Sequence, residues 1–403
     1  MKILYLVHQF FPKYYYGTER FTLNLAEQMQ RLGHNPLVMT YDRGQGQEGY
    51  VRLHNNVLVR KYSYHTVPVI SFKKTHSPKF HEILDREIEE AYKKLKLTYD
   101  IVHICHPMFL SSIARSCKKQ GTPIALTLTD PWLLCPATLI DRGFRLCNGP
   151  IFDRGCASNC HFASHSMLMA RYRQALDVLG MADEIATASR FTASIFQRNG
   201  WNKPIRIIPH SIDYKFVKPT NSPANDKITF GYVGSVVWHK GLHILVKAIR
   251  NVQAENVNLR IYGSTQESLD YTKELLAIAR GDPRIKFLEQ FDMETLPDIM
   301  KNISAMVVPS VYYDNYPLVT LISLSYRVPV IGSNIGGIPE IIQHGINGFL
   351  FEPGNVSELS SLITNLARNP NTIETLRENI VTPRRLEEEA LDYENIYMKL
   401  SSR

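Results

Sequence analysis

Nothing in this 403-residue chain approaches the run of about 20 apolar residues that a membrane-spanning helix needs. The N-terminus, MKILYLVHQFF, sets only Ile3 to Val7 in a row before His8. That is short for the core of a secretory signal, and a soluble cytoplasmic protein is the expectation. There is no G-x-x-x-x-G-K-[ST], which removes a P-loop ATPase. There is no repeat at a solenoid period and no low-complexity tract, which removes an array or a disordered scaffold. Cysteine is scarce, six in all, yet four fall between 135 and 160.

What is present is a dense alternation. With 44% hydrophobic and 21% charged residues, the chain suits two or three globular domains. Strand-like runs are read at 2–7, 36–41, 100–105, 123–128, 184–189 and 205–209, then at 228–234, 258–263, 285–288, 304–309 and 328–332. Helical spacing fills 18–32, 78–96, 108–120, 165–180 and 190–199, then 240–253, 266–280, 293–301, 316–326 and 355–368, with a surface helix after Pro383. Alternation of this kind predicts α/β domains with parallel sheets. The Pro-, Asn- and Ser-rich stretch 218–227 reads as a linker between two doubly wound domains, and a cleft between domains is a favoured binding place.

Charge follows the same division. Residues 1–210 carry 27 Lys+Arg against 16 Asp+Glu, whereas 211–403 carry 19 against 22. The basic half, with pairs at Lys73–Lys74, Lys93–Lys94 and Lys118–Lys119, suggests attraction to an anionic acceptor or to the anionic face of a membrane. Each pair alone reads more simply as a solvated face. No nucleic-acid partner is expected.

Three segments carry chemistry. SVYYDNYPLVTLISLSYRVPVIGSNIGGIPEII (310–342) follows one strand and predicts a loop, a helix over 316–326 and a further strand, which is a βαβ crossover. Asp314 and Asn315 suit the helix N-cap and Pro317 its first turn. Gly336, Gly337 and Pro339 predict a second helix start beside it. Helix N-termini on the carboxyl edge of a parallel sheet attract anions; ordinary capping is the plainer reading. In YYYGTERFTLNLAEQM, Gly17 follows the first strand and Thr18 is placed to cap the next helix. Glycine there lets a ligand approach the backbone, although many such glycines only turn the chain, and this segment is not the G-x-G-x-x-G of dinucleotide folds. In GYVGSVVWHKGLHILVKAI (231–249), Lys240 falls at a helix start. A cation there opposes the helix dipole, unless a bound phosphate or solvent relieves it.

With SRFTASIF and IRIIPHSID between them and GINGFLF after them, these segments keep an order and spacing that resembles the family-4 (group 1) retaining glycosyltransferases of the GT-B fold, over nearly the whole chain. The resemblance implies two Rossmann-like doubly wound domains facing across a cleft. The first, 1–210, would bind the acceptor and hold a Cys-rich insertion at 131–162; the second, 211–375, would bind the donor; a C-terminal helix in 376–403 would cross back. It implies transfer of a sugar from a UDP-, GDP- or ADP-sugar to a glycan or glycolipid with retention of configuration. By resemblance, Gly17 meets the donor phosphates through its backbone and Lys240 neutralises the departing diphosphate. Asp314, with Asn315 beside it, contacts the donor sugar. The backbone N–H groups of Leu318 and Val319 meet the phosphates, and the base lies near Tyr262–Ser264 and Leu288–Phe291. Growing negative charge on a leaving group is what a lysine and a helix N-terminus stabilise. No D-x-D sequence is present, so metal-free departure is the consistent mechanism.

Three positions depart from the family pattern. Its second acid falls at Ile322, the arginine of its basic pair at Ser235, and its His-Asp pair at Thr129–Asp130. Ser323 or Ser325 would replace the acid only in part, and a lost charged hydrogen bond costs about 1.5–3 kcal/mol. The same departures favour a rival, a catalytically silent glycosyltransferase-like binding subunit. Two sets of residues remain. Cys135, Cys147, Cys156 and Cys160, with His161 next, resemble the Cys-rich insertion of a family subgroup that follows a D-x-W segment, here Asp130–Trp132. Zinc or an iron–sulfur cluster would staple that loop-rich stretch, against four unrelated thiols. His103 and His106 end a strand on the acceptor side, either as catalytic or acceptor-orienting residues or as hydrogen-bonded structural histidines.

Overall fold

The computed structural model describes residues 1–44, 46–75, 84–140, 145–147, 149, 156, 165–212, 227–288 and 295–402. The linker read at 218–227, except Lys227, and the stretch 289–291 assigned to the base lie outside the described residues. The chain divides into two compact units, Met1–His210 with Leu386–Arg403, and Ser211–Arg385.

In the first unit, strands β1 (Lys2–Val7), β2 (Asn35–Tyr41), β3 (Val51–His54), β4 (Val57–Tyr64), β5 (Val67–Lys74), β6 (Ile101–Ile104), β7 (Ile124–Leu128), β8 (Glu184–Thr187) and β9 (Arg206–Ile207) form one sheet in the order β3-β4-β5-β2-β1-β6-β7-β8-β9. From β5 across to β9 the pairings are parallel, while β3 and β4 add an antiparallel edge. Strand β1 is a continuous apolar run buried after its first residue, as a parallel strand covered on both faces should be. The helix Gly17–Arg31 turns Phe21, Leu25 and Met29 into the core beneath it. The C-terminal helix Leu386–Ser401 does the same with Ala390, Tyr393, Tyr397 and Leu400. Its acidic first turn suggested a surface helix; the apolar residues at spacings of three and four make one face core.

The strands β3, β4 and β5 were not expected from the sequence. Their charges read as a solvated face, and for Lys73 that reading is overturned. Its ammonium is buried, 3.2 Å from Asp42 and donating to the Gly44 carbonyl, while Lys74 reaches Asp85 at 2.9 Å.

In the second unit, β10 (Ile228–Val233), β11 (Val257–Tyr262), β12 (Ile285–Leu288), β13 (Ala305–Val308), β14 (Val330–Ser333) and β15 (Gly348–Phe351) pair in the order β12-β11-β10-β13-β14-β15, all parallel. Leu242, Leu245 and Ile249 of the helix Leu242–Asn251 belong to one core; Leu321, Leu324, Ile338 and Ile342 belong to the other. Each sheet has a point where the chain, having built outward on one side, returns to build on the other. These points lie between β1 and β6 and between β10 and β13, and open α/β sheets bind ligands beyond the carboxyl ends of the strands there. Among the described residues no helix is long and apolar enough to cross a membrane.

Candidate active site

Beyond the carboxyl end of β13, Ser310, Tyr312 and Asp314 lie in a loop that leads to the helix Leu318–Ser325. Asp314 does not cap that helix. The cap is Pro317, with no side-chain hydrogen bond, so the first N–H groups, at Leu318 and Val319, have no capping side chain. Asp314 is instead the hub of a buried network. Lys240 Nζ donates to its two oxygens at 3.0 and 3.1 Å, Tyr312 Oη at 2.6 Å and Ser310 Oγ at 2.7 Å. Burial pushes the Asp314 carboxyl up, but the Lys240 charge and the hydrogen bonds from Tyr312 and Ser310 outweigh it and hold it below the usual range. Lys240 also donates to Tyr312 Oη at 2.9 Å. The cation at a helix start, read as calling for a phosphate, thus already has an anion in Asp314. Next to it, burial and then the Lys240 charge lower His239 to about 4 against the pull of Asp314, which leaves it neutral at neutral pH.

Two glycines let this loop sit where it does. A Cβ on Gly241 (φ +72°) would lie 1.8 Å from the Pro309 carbonyl oxygen, and one on Gly336 (φ +63°) 2.3 Å from that of Asp314. The second helix start expected at Gly336–Pro339 is a single 3-10 turn, Ile338–Glu340. Gly337 N–H is spent on the Asp314 carbonyl at 2.8 Å rather than offered to an anion. We expect Gly241→Ala to cost more than the roughly 1–3 kcal/mol of left-handed backbone strain, because its Cβ would also run into the Pro309 carbonyl; a lower thermal midpoint checks this.

Ser235 and Ile322 stand where the resemblance implied charged side chains. Ser235 bears no charge, and its carbonyl accepts from Tyr232 Oη at 2.6 Å. Ile322 packs among apolar neighbours. Ser323 and Ser325 donate to the carbonyls of Val319 and Ile322, both at 2.7 Å, so neither proton is available to a ribose. Asn315 is buried beside Asp314.

In the first unit, Gly17 opens the helix Gly17–Arg31, and a Cβ there would meet nothing within 4 Å. Packing therefore does not demand glycine. Thr18 does not cap; Tyr16 holds that position without a side-chain bond. In the first turn of that helix, Glu19 is fully buried and neither carboxylate oxygen completes a hydrogen bond. Burial lifts it to about 7, and the backbone N–H groups of Glu19 and Tyr16 and the Gln9 side chain offset this only in part. A carboxyl raised above its unfolded value adds stability below about pH 4.5 that is lost as pH rises through about 7. Glu19→Gln should therefore flatten the fall in stability over that window, measured as denaturant midpoints at pH 5 and pH 8.

His8, just past β1, lies 3.7 Å from Glu19, and its ring is tilted 35° against that of His106 with centroids 3.9 Å apart. Burial first, then the charges of His106 and Arg43, hold His8 well below the usual imidazole range. His106 Nε2 lies 3.5 Å from Asp130 Oδ2, and Asp130 Oδ1 accepts from Trp132 N–H at 2.8 Å. His103 does not join them. It is a core residue bonded to Tyr397 Oη at 2.6 Å and Thr127 Oγ1 at 2.7 Å, and burial lowers it to about 3.

The cysteine reading gains no support. Cys147 Sγ donates to the Gly149 carbonyl at 3.0 Å. Among the described residues no three His, Cys, Asp or Glu side chains converge on a metal position; Cys160 and His161 lie outside them, and Cys156 adds no such group.

Sequence reasoning missed His8, Glu19, Ser310, Tyr312 and Gly241. Nothing in the local pattern singles out Ser310 and Tyr312, because the backbone turns between Tyr312 and Asp314, where Asp314 N–H donates to the Tyr312 carbonyl at 2.9 Å. Residues 44–49 do spell G-x-G-x-x-G, but β2 is followed there by β3 and not by a helix, so this is no dinucleotide fingerprint.

Two Rossmann-like units, each with its polar cluster at the switch point of a parallel sheet, define the GT-B fold. The sequence profile described as Glycosyltransferase Family 4 matches residues 15–216, and that described as Glycosyl transferases group 1 matches 214–381. The chain belongs to the family-4 glycosyltransferases. An uncharacterised glycosyltransferase of Methanocaldococcus jannaschii is 28% identical over 200 residues, 49% of this chain and 53% of that protein. The capsular polysaccharide biosynthesis glycosyltransferase CapM of Staphylococcus aureus is 26% identical over 159 residues, 38% of this chain and 40% of CapM. The chain thus spans about half or less of these relatives. Among solved structures, a sucrose-phosphate synthase from Thermosynechococcus elongatus has a TM-score of 0.75 at 19% identity, covering 100% of this chain and 99% of that one. HepE of Anabaena, in complex with UDP and glucose, has 0.69 at 19%, covering 100% of both. At that identity the likeness concerns the fold.

Proposed function

We propose that the protein transfers a glycosyl residue from a nucleoside-diphosphate sugar to a hydroxyl of a glycan or glycolipid, with retention of configuration and without a cation held by a D-x-D sequence. The observation that carries this reading is the Lys240–Asp314 pair beside an uncapped helix N-terminus at the switch point of the second sheet. A diphosphate at the N–H groups of Leu318 and Val319 gives Lys240 a second anion, and an ammonium has three donors to share. A sugar hydroxyl then takes a lone pair of Asp314 that Lys240 gives up. As the anomeric C–O bond breaks, its electron pair stays on the phosphate oxygen. Lys240 and the helix start meet that growing charge, while Gly17 leaves room for a ligand against the first unit's backbone.

HepE, which shares the fold and was solved with UDP and glucose, is consistent with a nucleoside-diphosphate donor, and the basic surplus of residues 1–210 supports an anionic acceptor or membrane face. In this reading residues 1–210 serve the acceptor and 211–375 the donor. Ile322 and Ser235 weaken donor binding without silencing the site. Hydrolysis and transfer screened across UDP-, GDP- and ADP-sugars test it, with calorimetry for binding. Turnover of one donor class is expected; neither turnover nor nucleotide binding would leave only a silent subunit.

A further inference from the structure

We infer that the antiparallel hairpin β4–β5 is a splint for the loop that leads to Gly17, with Tyr62 and Tyr64 as the residues that position it. The inference rests on the proposed transfer, with Gly17 open to the donor. The strands from β5 to β9 form a parallel sheet, and β3 and β4 are an antiparallel addition to its edge. Phe11 and Glu19 are buried. Between them residues 12–17 are exposed, except for the half-buried Tyr14. The space at Gly17 is open, since a Cβ there would meet nothing within 4 Å. The contacts that hold the loop lie at its root.

Side chains alternate along β4, so Tyr62 and Tyr64 share a face with the exposed Ser63 on the other. Both tyrosines pack against the core that includes Phe10 and Phe11. Tyr62 Oη donates to the Phe11 carbonyl at 2.7 Å. The Tyr64 ring stacks on that of Phe11, with centroids 4.7 Å apart and planes 19° from parallel. The far end of the loop joins the same point. Arg20 closes the first turn of the helix Gly17–Arg31, and its guanidinium lies 4.7 Å from the Phe11 ring centroid, a placement that attracts a cation.

The turn of the hairpin grips the helix further along. His65 and Thr66 join β4 to β5. His65 takes the left-handed backbone, φ +48°, where a two-residue hairpin usually has glycine, asparagine or aspartate. The imidazole earns its place by its contacts. It stacks on Tyr64 at 4.6 Å, and its Nδ1 lies 2.7 Å from Glu27 Oε1. Thr66 Oγ1 donates to Gln30 Oε1 at 2.7 Å, and Gln30 Nε2 donates to the Thr66 carbonyl at 3.0 Å. Glu27 and Gln30 are neighbours on one face of the helix. The hairpin thus holds the chain before Gly17 and the helix after it, and the place of Gly17 follows from both. Tyr62 and Tyr64 act on the ligand only through the loop, as positioning residues.

The test starts with donor hydrolysis and transfer by the parent, using UDP-, GDP- and ADP-sugars. Failure of both overturns the transfer reading, and this inference with it. Where transfer is present, Tyr64→Leu removes the ring stack and should raise the donor KM by about 10-fold or more, as misplacement of a binding group does. Its kcat should change far less, the mark of lost binding rather than lost chemistry. A merely structural role would shrink the folded fraction, which lowers the apparent kcat and leaves KM alone. Tyr64→Phe keeps the stack and should restore the parental KM. Tyr62→Phe keeps a ring in the core, loses the bond to the Phe11 carbonyl, and should raise KM by a smaller factor. Amide exchange needs no turnover: in Tyr64→Leu the amides from Phe10 to Thr18 should exchange faster, while those of β6 and β7 keep the parental rate. An unchanged donor KM in Tyr64→Leu, equal damage in Tyr64→Phe, or unaltered exchange over residues 10–18 overturns the inference. Should Tyr64→Leu fail to fold, Tyr62→Phe decides, and a parental donor KM there overturns it.

Discussion

Replacing Lys240 with methionine is expected to lower transfer by about a hundredfold or more, the usual consequence of removing one donor aimed at charge that grows in the transition state. Methionine keeps much of the length and apolar volume of the lysine stem, so the loss reports the ammonium. The same change strips Asp314 of its cation while leaving Tyr312 and Ser310 in place. A buried carboxylate without its partner is costly, so the variant should also melt lower. Its Asp314 should take a proton at higher pH than in the parent, because the first force acting on that carboxyl is burial and the largest counterweight is the Lys240 charge. Rate and stability then separate by a second substitution. Lys240→Met with Asp314→Asn should recover much of the melting temperature and none of the activity. If the single variant transfers at the parental rate with saturating donor, Lys240 does not meet the leaving group and the assignment of the site fails.

Much of the second unit was legible because its strands are short apolar runs, interrupted only singly as at Arg260 and Lys286, set between helices with three-and-four apolar spacing. The position of Lys240 and Asp314 could be read from the loops that follow β10 and β13. Their mutual contact could not, since it joins residues 74 apart through a fold that local pattern does not encode. The capping expectation for Asp314 failed for that reason. An aspartate before a helix is a good cap in isolation, but a lysine brought 3.0 Å away by the neighbouring strand competes for it. The antiparallel edge β3–β5 was missed because Lys73 and Lys74 look solvated until Asp42 and Asp85 are placed against them. Glu19 was passed over because a helix's first-turn acid is ordinarily exposed and favourable; only the packing of β1 and the helix Gly17–Arg31 makes it a buried carboxyl.

Asp314→Ala is expected to cost both activity and stability, although a loop aspartate seen in sequence alone suggests that the fold would not notice. The residue is 6% exposed and receives four hydrogen bonds. Removing one partner of a buried ion pair costs about 3–5 kcal/mol, and here two hydroxyl donors are orphaned as well. Asp314→Asn is the sharper probe. It keeps the volume and one acceptor oxygen, but its amide turns donors toward a site already lined with donors. Transfer should fall steeply in both variants, since Lys240 loses the anion that aims it at the phosphate. The pH dependence has a definite sign. A carboxyl whose folded value lies below the unfolded one, near 3.9, adds stability above that pH and loses it as pH falls through the folded value. The parent should therefore be destabilised by acid through Asp314, and Asp314→Asn should lack that part of the loss when midpoints at pH 6 and pH 3 are compared. An identical acid dependence in parent and variant would mean that Asp314 is not the depressed carboxylate described. Parental transfer rates in Asp314→Asn would mean that the donor sugar is held elsewhere.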